Sequence, residues 1–203
     1  MHWRWYALAV TVAAVAGIGI GVGIHARSTN SVPSLPAMHG QAVWAVGQRV
    51  TPPFALKDQY GDTTSLDSLR GRISVISFLD SHCNQACPIE GRLLGVAISK
   101  TKPSPLLVVI SVDPANDTPA AITRAISEWH LPANTLWLTG TVAELTPIWE
   151  AYQVQVENDA TDIMHSTPIY LIDRRGNQRA AFVMPFIAGF VTADLATLGA
   201  EKQ

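Results

Sequence analysis

The chain has two cysteines in 203 residues. Both fall in the stretch SHCNQACP, residues 81–88, where three residues separate Cys83 from Cys87 and Pro88 follows directly. Such a pair can be a disulfide staple, a redox couple, or two thiolate donors to one metal ion. Three intervening residues give the loop room to fold back, so that both sulfurs could face a single ion at about 2.3 Å each. Proline at a first helical position would make Cys87 the N-cap and disfavour helical dihedrals there, so the pair is expected in a loop that opens into a helix. Backbone N–H groups and the helix dipole at that end stabilise a thiolate, which makes the pair reactive or ligating. A purely structural staple gains nothing from this placement.

The elements that must position the pair follow from apolar patterning. Residues 73–79 (ISVISFL) and 106–112 (LLVVISV) read as strands buried on both faces, and the cysteines come straight after the first of them. Residues 54–57 and 63–66 are short extended segments around a turn at 59–62. From Pro88 onward, Ile89, Leu93, Leu94, Ala97 and Ile98 recur at helical spacing. Thr118-Pro119 has the form of N-cap and first helical residue, and Thr141 to Glu144 that of a capping box, with Pro147 expected to kink or shorten the second helix. Residues 135–139 and 169–173 read as further strands, followed by a turn at 174–177, a return strand through Val183 and a last helix from about Thr192. Strands alternating with helices predict a layered α/β domain, helices on both faces of a mixed sheet. Ligand sites in such sheets gather at the carboxyl ends of strands, and Cys83 is expected there.

Ahead of this domain, residues 5–24 (WYALAVTVAAVAGIGIGVGI) carry no charge. About 20 apolar residues in a helix match a hydrocarbon core of roughly 30 Å, which predicts an N-terminal transmembrane anchor over 1–27; an uncleaved or cleaved signal segment is the alternative. The short N-terminal flank favours an inside N-terminus and export of the remainder. Residues 28–47, rich in Ser, Pro and Gly, read as a linker, and 48–203 as one domain. Beyond the apolar run the 14 basic residues lose Arg4 and Arg27 and face 16 acids, a balance that argues against nucleic acid. An oxidising compartment permits a disulfide without requiring one.

The order CNQACP, SVDPANDTP (111–119) and HSTPIYLIDRRG (165–176) behind one apolar span resembles the Sco/SenC family of membrane-anchored copper proteins that assist cytochrome oxidase assembly. The resemblance covers roughly residues 48–185. It implies a thioredoxin-like fold and copper, Cu(I) or Cu(II), held by Cys83, Cys87 and His165. It also implies delivery to the dinuclear CuA centre of cytochrome c oxidase subunit II, with the domain on the periplasmic side of the cytoplasmic membrane. Two soft thiolates with one imidazole suit both copper states, and three protein ligands leave the ion open to a partner's donor.

Three positions depart from the family pattern. Asn84 stands where a proline is usual, Asp80-Ser81 replace an aromatic and a hydroxyl residue, and Pro168 sits where thioredoxin-like reductases carry a cis-proline. An Asp80 carboxylate facing the thiols would raise their pKa. Pro168 points instead to the alternative function, a thiol-disulfide oxidoreductase using Cys83 and Cys87 as its redox pair to keep oxidase copper ligands reduced. His82 is expected to point away from the site, Met164 to pack rather than ligate, and Asp113 and Asp117 to organise the loop before the 119–129 helix.

Overall fold

The computed structural model describes residues 38–158 and 163–201. Strands β4 (Ser74–Leu79) and β5 (Leu106–Ser111) are buried at every position, as expected of parallel strands covered on both faces. They pair in parallel with each other, and β5 pairs in parallel with β6 (Leu136–Thr139). Antiparallel strands complete the sheet on both sides. These are β9 (Ile169–Ile172), β10 (Gln178–Phe182) and β1 (Ala42–Val43) beyond β4, and β2 (Ala55–Asp58) and β3 (Thr63–Ser65) beyond β6, in the order β1-β10-β9-β4-β5-β6-β2-β3. A separate two-stranded ribbon joins β7 (Val156–Asn158) to β8 (Ile163–His165).

Alternate residues of β4 and β5 feed two cores. Val75, Leu79, Leu107 and Val109 pack with helices α1 (Ala86–Ser99), α2 (Pro119–Glu128) and α4 (Ala188–Ala200). Ile76, Phe78, Val108 and Ile110 pack with α3 (Val142–Ala151) and the β2/β3 hairpin. The mixed sheet flanked by helices is the expected fold class. The expected transmembrane span lies outside the described residues, and among the described residues no helix is long and apolar enough to cross a membrane.

Several local expectations hold. Thr118 caps α2, accepting from Ala121 N–H, with Pro119 in the first turn, and Thr141 and Glu144 form the capping box of α3, which runs on through Pro147. Others are corrected. The last helix begins at Ala188, where Ile187 makes no side-chain cap bond that sequence could signal. Part of the stretch read as linker belongs to the fold, since β1 pairs with β10 and the chain before it is fastened to α4. Asp194, fully buried, accepts bonds from the His39 and Gly40 N–H groups at 2.8 to 3.1 Å and from His39 Nδ1–H at 2.7 Å. A side chain at Gly40 would lie 2.8 Å from the Ala42 carbonyl oxygen, so glycine permits this clasp.

How deeply α1 seats is decided at Gly95, where a Cβ would stand 2.4 Å from the His130 carbonyl oxygen, a backbone atom with no freedom to retreat. Gly95→Ala should therefore destabilise the fold by about 1–3 kcal/mol. Gly199→Ala in α4 meets no atom within 4 Å, and should be neutral or stabilising by up to about 1 kcal/mol. Paired denaturation curves check this; equal stability of the two variants would show that α1 can shift freely.

Candidate metal centre

Cys83 lies in the loop that leaves β4, with its N–H bonded back to the Asp80 carbonyl at 3.2 Å. Helix α1 starts earlier than expected. Gln85 is the N-cap, Ala86 and Cys87 are already helical and Pro88 falls third, where its missing N–H is still one of the unpaired donors of a first turn. Cys87 is thereby carried into the core and is completely buried, while Cys83 remains half-buried. Both are free thiols.

His165 comes from β8, outside the main sheet. Its Nε2 lies 3.5 Å from Cys87 Sγ, and its Nδ1 lies 3.1 Å from the Ser166 carbonyl oxygen. A carbonyl only accepts, so Nδ1 carries the proton and Nε2 turns its lone pair toward the sulfurs. Beyond the carboxyl end of β4, His165 Nε2 thus lies against Cys87 Sγ, and the Cys87 thiol in turn is bonded to Cys83. The donor set, two sulfurs and an unprotonated imidazole nitrogen, fits a soft or borderline ion such as copper.

The two thiols are made unequal by their surroundings. A hydrogen bond from the Cys87 thiol brings the Cys83 thiol down to about 6, with help from the Cys87 and Gln85 N–H groups. Partial burial opposes this, and the Asp80 carboxylate opposes it only weakly. The same bond, together with burial, pushes Cys87 far up, so the proton shared by the pair stays on Cys87. The expected Asp80 effect is present but outweighed.

The neighbours behave unevenly. His82 is exposed; its N–H donates to Asp80 Oδ1 at 2.7 Å and its Nδ1 lies 3.3 Å from Ser81 Oγ. One ligand atom each of Asp80, His82 and Asp117 lie within 4.8 Å of one another, but Asp117 already accepts from Ser81 N–H and Trp137 Nε1–H. Asp113 does organise the loop before α2, Asn116 donating through Nδ2 to its Oδ2 at 2.7 Å, whereas the Asp117 carboxylate ties that loop to Ser81 and Trp137. Met164 does not pack as expected: it is 66% exposed on the outer side of the ribbon. The bond before Pro168 is trans, the cis bonds among the described residues being Lys102-Pro103 and Met184-Pro185. Pro168 therefore does not reproduce the reductase feature.

Sequence reasoning missed Glu90. It is fully buried, one turn beyond Cys87, and Ser77 Oγ donates to its Oε1. Burial pushes its carboxyl up to about 8, and the nearby Cys83 sulfur adds to the shift, while the Ser77 bond and the neighbouring Thr167 hydroxyl resist it. The signal was available: if Cys87 faces inward, the residue three further on shares its face.

An α/β domain with two thiols and an imidazole gathered beyond a central parallel strand is a thioredoxin-like scaffold turned to metal or redox chemistry. The family model described as SCO1/SenC matches residues 45–198, and the chain belongs to that family. It is 34% identical over 137 residues to Protein SCO2, mitochondrial, of Saccharomyces cerevisiae, covering 61% of this chain and 44% of that protein. Against the SCO2-like protein RP587 of Rickettsia prowazekii it is 29% identical over 150 residues, covering 69% and 72%. It thus spans less than half of the yeast relative. Among solved structures, copper-bound ScoI of Arabidopsis thaliana superposes with a TM-score of 0.66 at 26% identity, over 73% of this chain and 97% of that one. Copper-bound ScoI of Bradyrhizobium japonicum gives 0.62 at 29%, over 73% and 99%.

The inequality of the thiols has a direct readout. Alkylation of the reduced protein should label Cys83 first, with a pH profile whose midpoint lies near 6. Cys87→Ala removes the donated bond and should move that midpoint up toward the ordinary thiol value of about 8.5. Mass spectrometry of labelled peptides across pH 5–9 decides, and an unmoved midpoint would show that Cys87 does not hold the Cys83 thiolate.

Proposed function

We propose that this chain binds copper through Cys83, Cys87 and His165 and delivers it to the dinuclear copper centre of cytochrome c oxidase subunit II. The approach of His165 Nε2 to Cys87 Sγ carries the reading, because a buried dithiol alone needs no imidazole brought in from a separate ribbon. Membership of the SCO1/SenC family and two relatives solved with copper support the choice of metal. Copper here is cargo. Cys83, half-exposed and already ionised at neutral pH, offers the first donor to an arriving ion, and Cys87 gives up its proton to become the second. With three protein donors the ion stays open to a donor from the acceptor.

The proposed arrangement places residues 1–27 in the cytoplasmic membrane and the folded domain, which takes in His39 and β1, on its extracytoplasmic side, with the chain from residue 28 leading to it. Full-length protein is then expected in the membrane fraction after carbonate extraction, with the domain open to protease added from outside. Recovery of a soluble mature chain beginning near Arg27 would replace the anchor with a cleaved signal.

A second reading, thiol-disulfide exchange on the oxidase's copper ligands, is favoured by the half-buried low-pKa Cys83 backed by a buried partner that could resolve a mixed disulfide. One variant separates the two. His165→Ala should lose Cu(II) affinity by more than the roughly 10–100-fold that loss of an outer-shell partner causes, while keeping Cu(I) on the two thiolates and still exchanging its disulfide. Undiminished Cu(II) binding on a sample with normal exchange would overturn the three-ligand site and leave the exchange activity.

A further inference from the structure

Glu90 is the one fully buried carboxylic acid on the helix that carries Cys87, among the described residues. Its Oε1 is satisfied by Ser77 Oγ, which projects from the middle of β4 on the α1 side. Its Oε2 is buried and has no hydrogen-bond partner of normal geometry. The side chain beside the carboxyl on that flank is Thr167, two residues past His165. An orphaned buried oxygen is costly in any fold, and a leucine here would avoid it. What the carboxyl does, in return, is touch all three pieces that must be in register: the strand before Cys83, the helix of Cys87 and the segment of His165.

That segment joins the ribbon to β9. His165 ends a ribbon that shares no ladder with the main sheet. On its outer side it is tied to Gln155, whose N–H donates to Ser166 Oγ at 3.0 Å and whose carbonyl accepts from Ser166 N–H at 3.0 Å. Those bonds fix the segment to the preceding chain, and on its other side Pro168 leads directly into β9, which pairs with β4, so the Glu90 carboxyl lies beside a stretch held at both ends.

We infer that Glu90 is a positioning residue for His165: anchored on Ser77, it presents its second oxygen to the Thr167 hydroxyl and so sets how close the imidazole stands to the cysteine helix. The inference rests on the three-ligand reading. Glu90 touches no ion in this role. It sharpens the approach of the third donor, which matters for Cu(II) and little for Cu(I), since two thiolates already satisfy the latter.

The test uses full-length protein in detergent, with Cu(II) and Cu(I) affinities measured on wild type, Glu90→Leu, Glu90→Gln, Thr167→Val and His165→Ala. Glu90→Leu should weaken Cu(II) by about 10–100-fold, the usual effect of losing an outer-shell partner, and leave Cu(I) within about threefold. Glu90→Gln keeps one acceptor for Ser77 and a second polar atom for Thr167, and should restore most of the Cu(II) affinity. Thr167→Val, at a half-buried site, should reproduce the Leu effect even if Glu90→Leu does not fold. In the His165→Ala background neither change should weaken Cu(II) further, because residues acting through one group do not add. Equal loss of Cu(I) and Cu(II), or Thr167→Val indistinguishable from wild type, would make Glu90 a buried structural acid and overturn the inference. Failure of the underlying reading looks different: His165→Ala itself would then leave Cu(II) unchanged.

Discussion

The first turn of α1 has to sit deep enough to bury one sulfur completely while leaving its neighbour four residues earlier at the surface. Most features of the site follow from that depth. It depends on two small residues, Gly91 against Trp129 and Gly95 against the His130 carbonyl, which let the helix axis approach the α2 end. It brings Glu90 inside along with Cys87. It also divides the chemistry: the buried thiol keeps its proton and donates it, and the half-buried one becomes the thiolate. A helix seated one side chain further out would expose both sulfurs to the same solvent and lose the distinction.

The buried acid then has a consistent electrostatic role. A charged carboxylate beside the Cys83 sulfur would oppose the thiolate that the Cys87 bond creates. Burial eases the conflict by pushing the Glu90 carboxyl up to about 8, so that it holds its proton at neutral pH and adds no charge beside the Cys83 thiolate. The imidazole is settled by similar means. The Ser166 carbonyl holds the proton on Nδ1, which leaves Nε2 as the donor facing the sulfurs.

The parts of this arrangement that depend on local pattern were legible in the sequence. Strands β4 and β5 announce themselves as unbroken apolar runs, and the caps at Thr118 and Thr141 are short-range chemistry that tertiary context did not override. The family resemblance singles out Cys83, Cys87 and His165, and the fold sets Cys87 against each of the other two. What stayed hidden is non-local. The two-residue β1 has no periodicity to detect and exists because β10 offers it an edge. The three-residue strands of the ribbon are too short to signal a strand, although they carry His165. The spacing of Ile89, Leu93, Leu94, Ala97 and Ile98 marks α1, and the last three are buried, but Ile89 is 48% exposed and the inward face also takes in Cys87 and Glu90, which apolar spacing does not single out.

The fastening of residues 39 and 40 to Asp194 also has a mechanical side. Any pull transmitted through the preceding chain reaches first a buried carboxylate gripped by three donor groups, and then the backbone pairing of β1 with β10. β1 lies three strands from β4 in the sheet, so the place where residues 39–43 are fastened is an edge, well apart from the loop that holds the sulfurs.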